Sequence, residues 1–264
     1  MSSFLKITDL NYLNVFEKFE INIEKNKLTS ISGPNNCGKT SLLRMIDRQI
    51  NVEDYIEINS KKQSEYKITD YNKLVKTIIP LEMINIFTTV EDEINFYIDQ
   101  LFLSKEEKNK RLKDIFKYLN LNKLKKEEIS NLKDNELVRL QIALAISSMP
   151  KIILIDDISP FFPPEECSKL VAYFKKIIST YDLTIVMIST RLEDLLDTDY
   201  LYILQDSKIL LQGIPIEVLQ KDNILNKIGM RVPFMIDLSV KLKDYDLMKD
   251  IELDMSRMAD TLWK

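Results

Sequence analysis

The sequence has 264 residues, of which 45% are hydrophobic and 30% are charged, and its formal net charge is −4 at pH 7. This composition is typical of a globular protein that can bury a core, and its acidic balance gives no support for a nucleic-acid partner. The two cysteines, Cys37 and Cys167, offer no framework of disulfides or metal ligands. The chain contains no histidine, which excludes imidazole as a base, a metal ligand or a switch.

The start of the chain lacks a charged segment followed by an apolar one, so we expect no signal peptide. The longest apolar runs, such as residues 152–155, are far too short to cross a bilayer. Any role at a membrane is therefore expected to depend on a partner.

The first predicted elements are strands. Residues 4–12 alternate between apolar and polar side chains, as expected for a half-buried strand. Residues 18–32 predict a second strand, a polar turn at 24–26 and a buried strand at 28–32. The loop of residues 33–40 follows, and the apolar spacing of residues 41–50 then predicts a helix.

The middle of the chain, residues 90–148, has a helical pattern rich in Lys, Glu and Leu, which predicts a helical insert. Residues 151–157 form a short apolar run that ends in two acids, as expected for a buried parallel strand. Residues 183–190 predict another buried strand, and residues 200–213 predict a hairpin. Beyond residue 215, short helices are expected, with interruptions at Gly229 and Pro233.

The loop "GPNNCGKT" contains two of the chain's 4 glycines and matches the phosphate-loop pattern G-x-x-x-x-G-K-[ST] at every fixed position. Glycine lets successive N–H groups turn toward phosphates, and the following helix adds its positive end. Lys39 is expected to reach the β- and γ-phosphates, and the Thr40 hydroxyl to bind Mg²⁺. The candidate nucleotide-binding residues in and after this loop are Gly33, Pro34, Asn35, Asn36, Cys37, Gly38, Lys39, Thr40 and Ser41.

Two acids close the strand predicted at residues 151–157. Asp156 is the natural carboxylate on the Mg²⁺ side of such a site, so Thr40 and Asp156 are the predicted metal ligands. Asp157 follows at the position of a general base. An acid at this position is equally compatible with a turn or a helix cap, and the sequence leaves both roles open.

The order of these motifs, a phosphate loop, a helical insert and then "MPKIILIDD", resembles an ABC-type ATPase. The segments "TTVEDEINF", "GIPIEVL", "IGMRVPF" and the closing "MADTLW" are similar to those of energy-coupling factor transporter ATPases. The resemblance implies an α/β P-loop NTPase fold with a RecA-like core, an antiparallel β-subdomain, a helical insert and a small C-terminal region. It places the ATP-binding domain at residues 1–214, its helical subdomain at roughly 88–149 and the C-terminal region at 215–264. Tyr12 matches the aromatic residue that stacks on adenine, although a structural aromatic at a strand end is as consistent.

The chain departs from the family pattern in several motifs outside the phosphate loop. The signature L-S-G-G-Q corresponds to "LKDNE" at residues 132–136, which has no glycine. The catalytic Glu corresponds to Asp157, which is shorter by one methylene, and the switch His corresponds to Thr190. The segment 78–82 lacks the expected Gln, and "PFFP" at 160–163 lacks the expected Asp.

The resemblance implies an ATP-binding subunit of an energy-coupling-factor importer that binds Mg·ATP but has weak or no turnover. We expect it to pair with a more complete paralogous ATPase and to dock on an integral membrane subunit at the cytoplasmic face of the cell membrane. The complex would take up a vitamin or a metal ion. Two alternatives stay open: a regulatory ATP-dependent scaffold without a membrane partner, and an active ATPase in which Glu82 or Glu136 substitutes for the missing groups.

Overall fold

The computed structural model describes residues 3–13 and 15–262. Trp263, the last apolar residue of the closing segment "MADTLW", lies outside the described residues. The described residues form two β-sheets and ten α-helices.

The first sheet is antiparallel, with the strand order β2-β1-β4-β5. Its strands are β1 Ser3–Tyr12, β2 Phe16–Glu24, β4 Ile56–Ile58 and β5 Lys61–Lys62. The burial of β2 alternates along most of its length because one face packs on the core and the other meets water. Its buried face packs on the loop and the helix, Lys39–Ile46, that come after the next strand, Leu28–Ser32.

The second sheet has the order β10-β9-β3-β8-β7-β6, and its strands are parallel except for the β9–β10 hairpin. Its strands are β3 Leu28–Ser32, β6 Val75–Ile78, β7 Ile152–Ile155, β8 Thr184–Ile188, β9 Tyr200–Gln205 and β10 Lys208–Gly213. All residues of β3, β7 and β8 are buried, as expected when helices or a second sheet cover both faces.

The helices before the hairpin are α1 Lys39–Ile46, α2 Ile68–Leu74, α3 Val90–Asp99, α4 Lys105–Tyr118, α5 Asp134–Ser147 and α6 Pro164–Thr180. Those after it are α7 Pro215–Leu219, α8 Asp222–Lys227, α9 Phe234–Asp244 and α10 Met255–Leu262. The start of α4 is specified locally, because Ser104 and Glu107 form a reciprocal capping box.

The parallel sheet divides the core into two parts. Ile152 and Leu154 of β7 pack in a cluster with α1 and the antiparallel sheet. Ile153 and Ile155 face the other way, into a cluster with the helices α3 to α6. This alternation follows from the two-residue period of a strand, and it places the parallel sheet between the two clusters.

The α/β class and all the strands predicted from the sequence are confirmed. The first helix, Lys39–Ile46, ends earlier than the predicted residue 50, because Arg48 has a left-handed backbone with φ of 63°. The sequence reasoning missed β4, β5, α2 and β6, which all lie between residues 56 and 78. The proposed boundaries at 88–149 and at 214 stay predictions. The structure places α3 to α5 within the first range and α7 to α10 after the second.

Candidate nucleotide-binding site

The predicted phosphate loop lies at the carboxyl edge of the parallel sheet. It leaves β3 after Ser32, whose hydroxyl donates to the carbonyl of Ser189 at 2.6 Å, and it enters α1 at Lys39. β3 is an inner strand, paired with β8 on one side and β9 on the other. Ligands of open α/β sheets bind at this edge, so the position of the loop suits a nucleotide.

Both glycines of the loop are required by the fold. Gly33 has φ of 150°, and a Cβ added there would lie 2.2 Å from the carbonyl oxygen of Leu204 on β9. Gly38 has φ of 97°, and its Cβ would lie 2.8 Å from the ring of Phe16 on β2. A side chain at either position therefore meets both backbone strain and a steric clash.

Lys39 folds its ammonium group back into the loop. Its Nζ donates to the carbonyls of Gly33 at 2.8 Å and Pro34 at 2.7 Å, and the residue is only 8% exposed. Gly38 occupies the N-cap of α1 and offers no side chain to the first N–H groups of the helix. The ammonium group and the helix start together make a site suited to an anion such as a phosphate.

The remaining predicted residues lie in the loop between β3 and α1 or in the first turn of that helix. Asn35 and Asn36 are exposed, and Asn36 adopts a left-handed backbone with φ of 64°. Cys37 is buried and points into the core, with its Sγ 3.6 Å from Lys39 Nζ. Ser41 lies in the first turn of α1.

The two predicted metal ligands meet at the same edge. Thr40 Oγ1 donates to Asp156 Oδ1 at 3.4 Å, and the N–H of Asp156 donates to the carbonyl of Ile78 at 2.9 Å. A hydroxyl and a carboxylate are hard oxygen ligands that suit Mg²⁺, which usually takes few protein ligands and completes its shell with phosphate oxygens and water. Within the described residues no group of three or more His, Cys, Asp or Glu could hold a metal by itself. The pair therefore fits Mg²⁺ that arrives with a nucleotide.

Asp157 is saturated with hydrogen bonds. Its Oδ1 accepts the N–H and the hydroxyl of Ser159, at 3.0 and 2.5 Å. Its Oδ2 accepts the N–H and the hydroxyl of Thr190, at 3.1 and 2.6 Å. All four bonds use lone pairs that a general base would need for water, so this arrangement favours a structural connection between the segments after β7 and β8.

Tyr12 is the last residue of β1 and lies beside the loop. It pairs with Phe16 across the turn, its carbonyl accepts the N–H of Val15, and its side chain packs on the cluster that includes Cys37. Since Phe16 contacts Gly38, the turn between β1 and β2 reaches the start of α1. A contact between Tyr12 and adenine stays a prediction.

The segment 132–136 forms the start of α5. The helix begins at Asp134, and Glu136 Oε2 accepts the N–H of Lys133 at 2.9 Å. This bond stabilises the first turn of the helix and leaves the carboxylate of Glu136 engaged.

The segment 160–163 is held by two arginines from other elements. Arg191 donates two hydrogen bonds to the carbonyl of Phe162, at 3.2 and 3.1 Å. The guanidinium of Arg139, from α5, lies 4.7 Å from the centre of the Phe162 ring. This segment is therefore anchored by an aromatic side chain and by its backbone.

Two side chains that the sequence reasoning missed bind the segment after β6. Gln141 of α5 and Glu93 of α3 are buried, and both are hydrogen-bonded to main-chain groups between residues 79 and 87. The available signal was a polar residue next to an apolar one in each helix pattern, "LQI" and "EIN". Buried polar residues of this kind need partners, but the sequence does not say which.

Comparison with known proteins now decides the family. The sequence model of the family described as "ABC transporter" matches residues 16–159. The chain belongs to the ABC transporter family. This family resemblance, predicted from the motifs, is thereby confirmed.

Relatives extend over nearly the whole chain. The energy-coupling factor transporter ATP-binding protein EcfA of Pediococcus pentosaceus is 25% identical over 97% of this chain and 94% of its own length. EcfA1 of Streptococcus pneumoniae is 27% identical, over 96% of this chain and 93% of its own. EcfA2 of Clostridium acetobutylicum is 27% identical, over 94% of this chain and 93% of its own.

Solved structures share the fold. CbiO1 from Clostridium perfringens, part of the ABC transporter complex cbiONQ, superposes with a TM-score of 0.73 at 20% identity, over 90% of this chain and 99% of that one. The ATP-binding cassette MJ0796, in a dimer bound to ADP and phosphate, gives 0.67 at 18% identity, over 80% of this chain and 98% of that one. The predicted P-loop NTPase fold of ABC type is therefore confirmed. Across the described part of the chain, no helix combines the length and apolar character needed to span a membrane.

Proposed function

We propose that this chain is the ATP-binding subunit of an energy-coupling-factor importer, and that it binds Mg·ATP with little or no turnover at its own site. The observation that carries ATP binding is the meeting of Thr40 and Asp156 beside the uncapped start of α1. The relatives that cover nearly the full chain, all energy-coupling factor ATP-binding proteins, support the importer.

In this proposal each group of the loop has one task. Lys39 exchanges its bonds to the carbonyls of Gly33 and Pro34 for the phosphate oxygens. The N–H groups at the start of α1 bind phosphate, and Thr40 and Asp156 hold Mg²⁺. Tyr12 lies at the adenine end. Bound Mg²⁺ would neutralise phosphate charge, as it does in P-loop proteins generally.

Weak turnover follows from the groups around Asp157. Both of its carboxylate oxygens are taken by Ser159 and Thr190, so it lacks a free lone pair aimed at water. The residue that corresponds to the switch histidine is Thr190, and the chain contains no histidine to replace it. General-base and imidazole contributions of this kind are each worth about a hundredfold or more in rate.

We further propose that the chain pairs with a paralogous, more complete ABC ATPase. ABC subunits act in head-to-tail pairs, in which the signature of one chain faces the nucleotide of the other. Here residues 132–136 start a helix without glycine, and Asp134 would bring negative charge toward a phosphate. Two copies of this chain would combine two weak signatures, whereas a complete partner would supply one good one.

An exposed apolar segment after β6 fits a membrane subunit. Ile84 is 91% exposed, and Ile86 and Phe87 are also exposed. Large apolar side chains grouped on a surface mark interaction sites. We call residues 79–87 the docking segment, and we propose that it contacts an integral membrane subunit at the cytoplasmic face of the cell membrane. The cargo would be a vitamin or a metal ion, and no nucleic acid takes part.

The decisive experiment is purification of the tagged chain from its native membrane. We expect a membrane protein and a second ATPase to accompany it, whereas a regulatory scaffold would be recovered without a membrane protein.

The isolated chain is then tested for equilibrium binding of Mg·ATP and for release of phosphate. Binding without turnover supports the proposal. An ATP turnover rate of about 1 s⁻¹ or more, within the ordinary range of enzymes, would instead establish an active ATPase with substitute residues such as Glu82 or Glu136.

A further inference from the structure

The first part of the docking segment is held by one side chain of α5. The amide nitrogen of Gln141 donates to the carbonyls of Ile79 and Glu82, each at 2.9 Å. Its amide oxygen accepts the N–H of Leu81 at 3.1 Å. Gln141 is only 7% exposed, so these three bonds form away from water, where unpaired polar groups are costly. A single amide thus occupies three main-chain groups of the segment.

The backbone that Gln141 holds is strained. Leu81 has φ of 67°, a left-handed conformation that is rare for a bulky residue other than glycine. Such a conformation persists only where the surroundings enforce it. The N–H of Leu81 donates its hydrogen bond to the amide oxygen of Gln141. The Gln141 side chain therefore stabilises the segment at its strained residue.

The second end of the docking segment is held in the same way. Glu93 of α3 is fully buried, and its Oε2 accepts the N–H groups of Ile86 and Phe87, at 2.9 and 2.6 Å. Between the two anchors, Ile84 projects into solvent. Both anchors belong to the helices on one side of the sheet, α5 and α3.

Within residues 3–13 and 15–262, no side chain of the nucleotide-binding loop anchors the segment in a comparable way. Its first residue follows Ile78, whose carbonyl accepts the N–H of Asp156, so the segment starts beside the metal-binding pair. Residues 79–87 contain no glutamine that could extend back to that pair. The polar connections of the segment described above run to the helices instead.

We propose that Gln141 is a positioning residue that couples the docking segment to α5, and hence to residues 132–136 at its start. The segment then moves together with α5, whose start faces the nucleotide of the paralogous subunit. It is insensitive to the nucleotide in this chain's own loop. The assignment of the membrane subunit to the docking segment and of the paralogous subunit to residues 132–136 rests on the proposed function above. The membrane subunit would respond, through this chain, to the nucleotide state of the partner.

Hydrogen exchange of the full chain tests the connection directly. Gln141→Met keeps the length of the side chain and removes all three hydrogen bonds. We expect exchange at Leu81 to accelerate by about tenfold, as for the loss of one buried hydrogen bond, while amides of β7 and of the second half of α5 are unchanged. The matched control is Gln220→Met, which removes a glutamine bond to the carbonyl of Ile216 and leaves Leu81 unaffected.

A milder variant keeps the test valid if Gln141→Met fails to fold. Gln141→Asn retains the amide but is one methylene shorter, so it cannot contact all three groups, and we expect an intermediate acceleration at Leu81. Unchanged exchange at Leu81 in folded Gln141→Met overturns the connection. Acceleration spread equally over α5 also overturns it, since that result indicates a general packing role.

The second arm adds Mg·ATP to the wild-type chain. We expect slower exchange in the phosphate loop, residues 33–40, and a change below about twofold in residues 79–87. Equal protection of loop and docking segment would overturn the claim of insensitivity. Absence of protection in the loop would refute ATP binding, and hence the proposed function, while the comparison of Gln141→Met with wild type would still report on the connection.

Discussion

The hydroxyl of Thr190 donates a 2.6 Å hydrogen bond to Asp157 Oδ2, and this bond joins the segment after β8 to the segment after β7. The family resemblance predicts Thr190 at the switch position and Asp157 at the catalytic acid, and in the structure the two residues are hydrogen-bonded to each other. Ser159 occupies the other carboxylate oxygen. Together these hydrogen bonds connect the segments after β7 and β8 at the carboxyl edge of the sheet.

Asp157→Asn is expected to lower the free energy of unfolding by about 1–3 kcal/mol, because its amide oxygen can accept the bonds from only one of Ser159 and Thr190, and its amide nitrogen cannot accept those from the other. Nucleotide affinity and the turnover of the complex should change little. Denaturant unfolding and ATPase assays on the same sample measure both effects. Asp250→Asn, at an exposed acid between α9 and α10, controls for the lost charge. A large fall in turnover with unchanged stability would assign Asp157 a catalytic role.

Lys39→Ala is expected to weaken the binding of Mg·ATP by about a hundredfold, because it removes a charge-assisted contact with phosphate. Equilibrium binding of a fluorescent ATP analogue measures the change. Lys27→Ala removes the same charge at the opposite end of β3, just before Leu28, and should leave binding unchanged. Equal effects of the two variants would indicate that overall charge, rather than the loop, governs affinity.

Gly33→Ala and Gly229→Ala separate steric clash from backbone strain. A methyl group at Gly33 meets the Leu204 carbonyl at 2.2 Å, whereas at Gly229 nothing lies within 4 Å and only the φ of 76° is unfavourable. We expect Gly229→Ala to cost about 1 kcal/mol and Gly33→Ala at least about 3 kcal/mol, or to prevent folding. Thermal unfolding compares them. Similar costs would contradict the close approach of β9 to the loop.

Cys167 should resist thiol reagents in the folded protein. Burial and the nearby Asp194 raise the pKa of the Cys167 thiol to about 12, although Arg191 opposes the shift. The thiolate is the reactive form, so alkylation at pH 8 should be negligible until the chain is denatured. Because the folded pKa is raised, the contribution of the thiol to stability is complete below about pH 9 and is lost as the pH rises toward about 12.

Cys167→Ser provides the comparison for that titration, since it removes the thiol and should flatten the alkaline fall in stability attributed to this group. Mass spectrometry of alkylated native and denatured samples measures the reactivity. Rapid labelling of native Cys167 at pH 8 would show that the side chain is not buried beside Asp194.

Several elements could be predicted because their signals are local. The pattern of the phosphate loop, the apolar run before Asp156 and the hairpin at 200–213 each depend on side chains within a few residues of one another. The short strands β4 to β6 were missed because β4 and β5 have only three and two residues and β6 alternates poorly. Their pairing depends on strands distant in sequence, and such tertiary context outweighs the propensity of short segments.

The sequence by itself determined the family, the α/β class and the place of Gly33 to Thr40 before a helix, because spacing and residue type suffice for a motif. It left open whether Asp157 is a base or a structural acid. Only the tertiary structure decided its long-range contact, since Thr190 approaches it from the end of the neighbouring strand β8. The same holds for Gln141, whose partners Ile79 and Glu82 are distant in the chain. Hydrogen bonds between distant segments depend on the packing of strands and helices, and no local pattern specifies them.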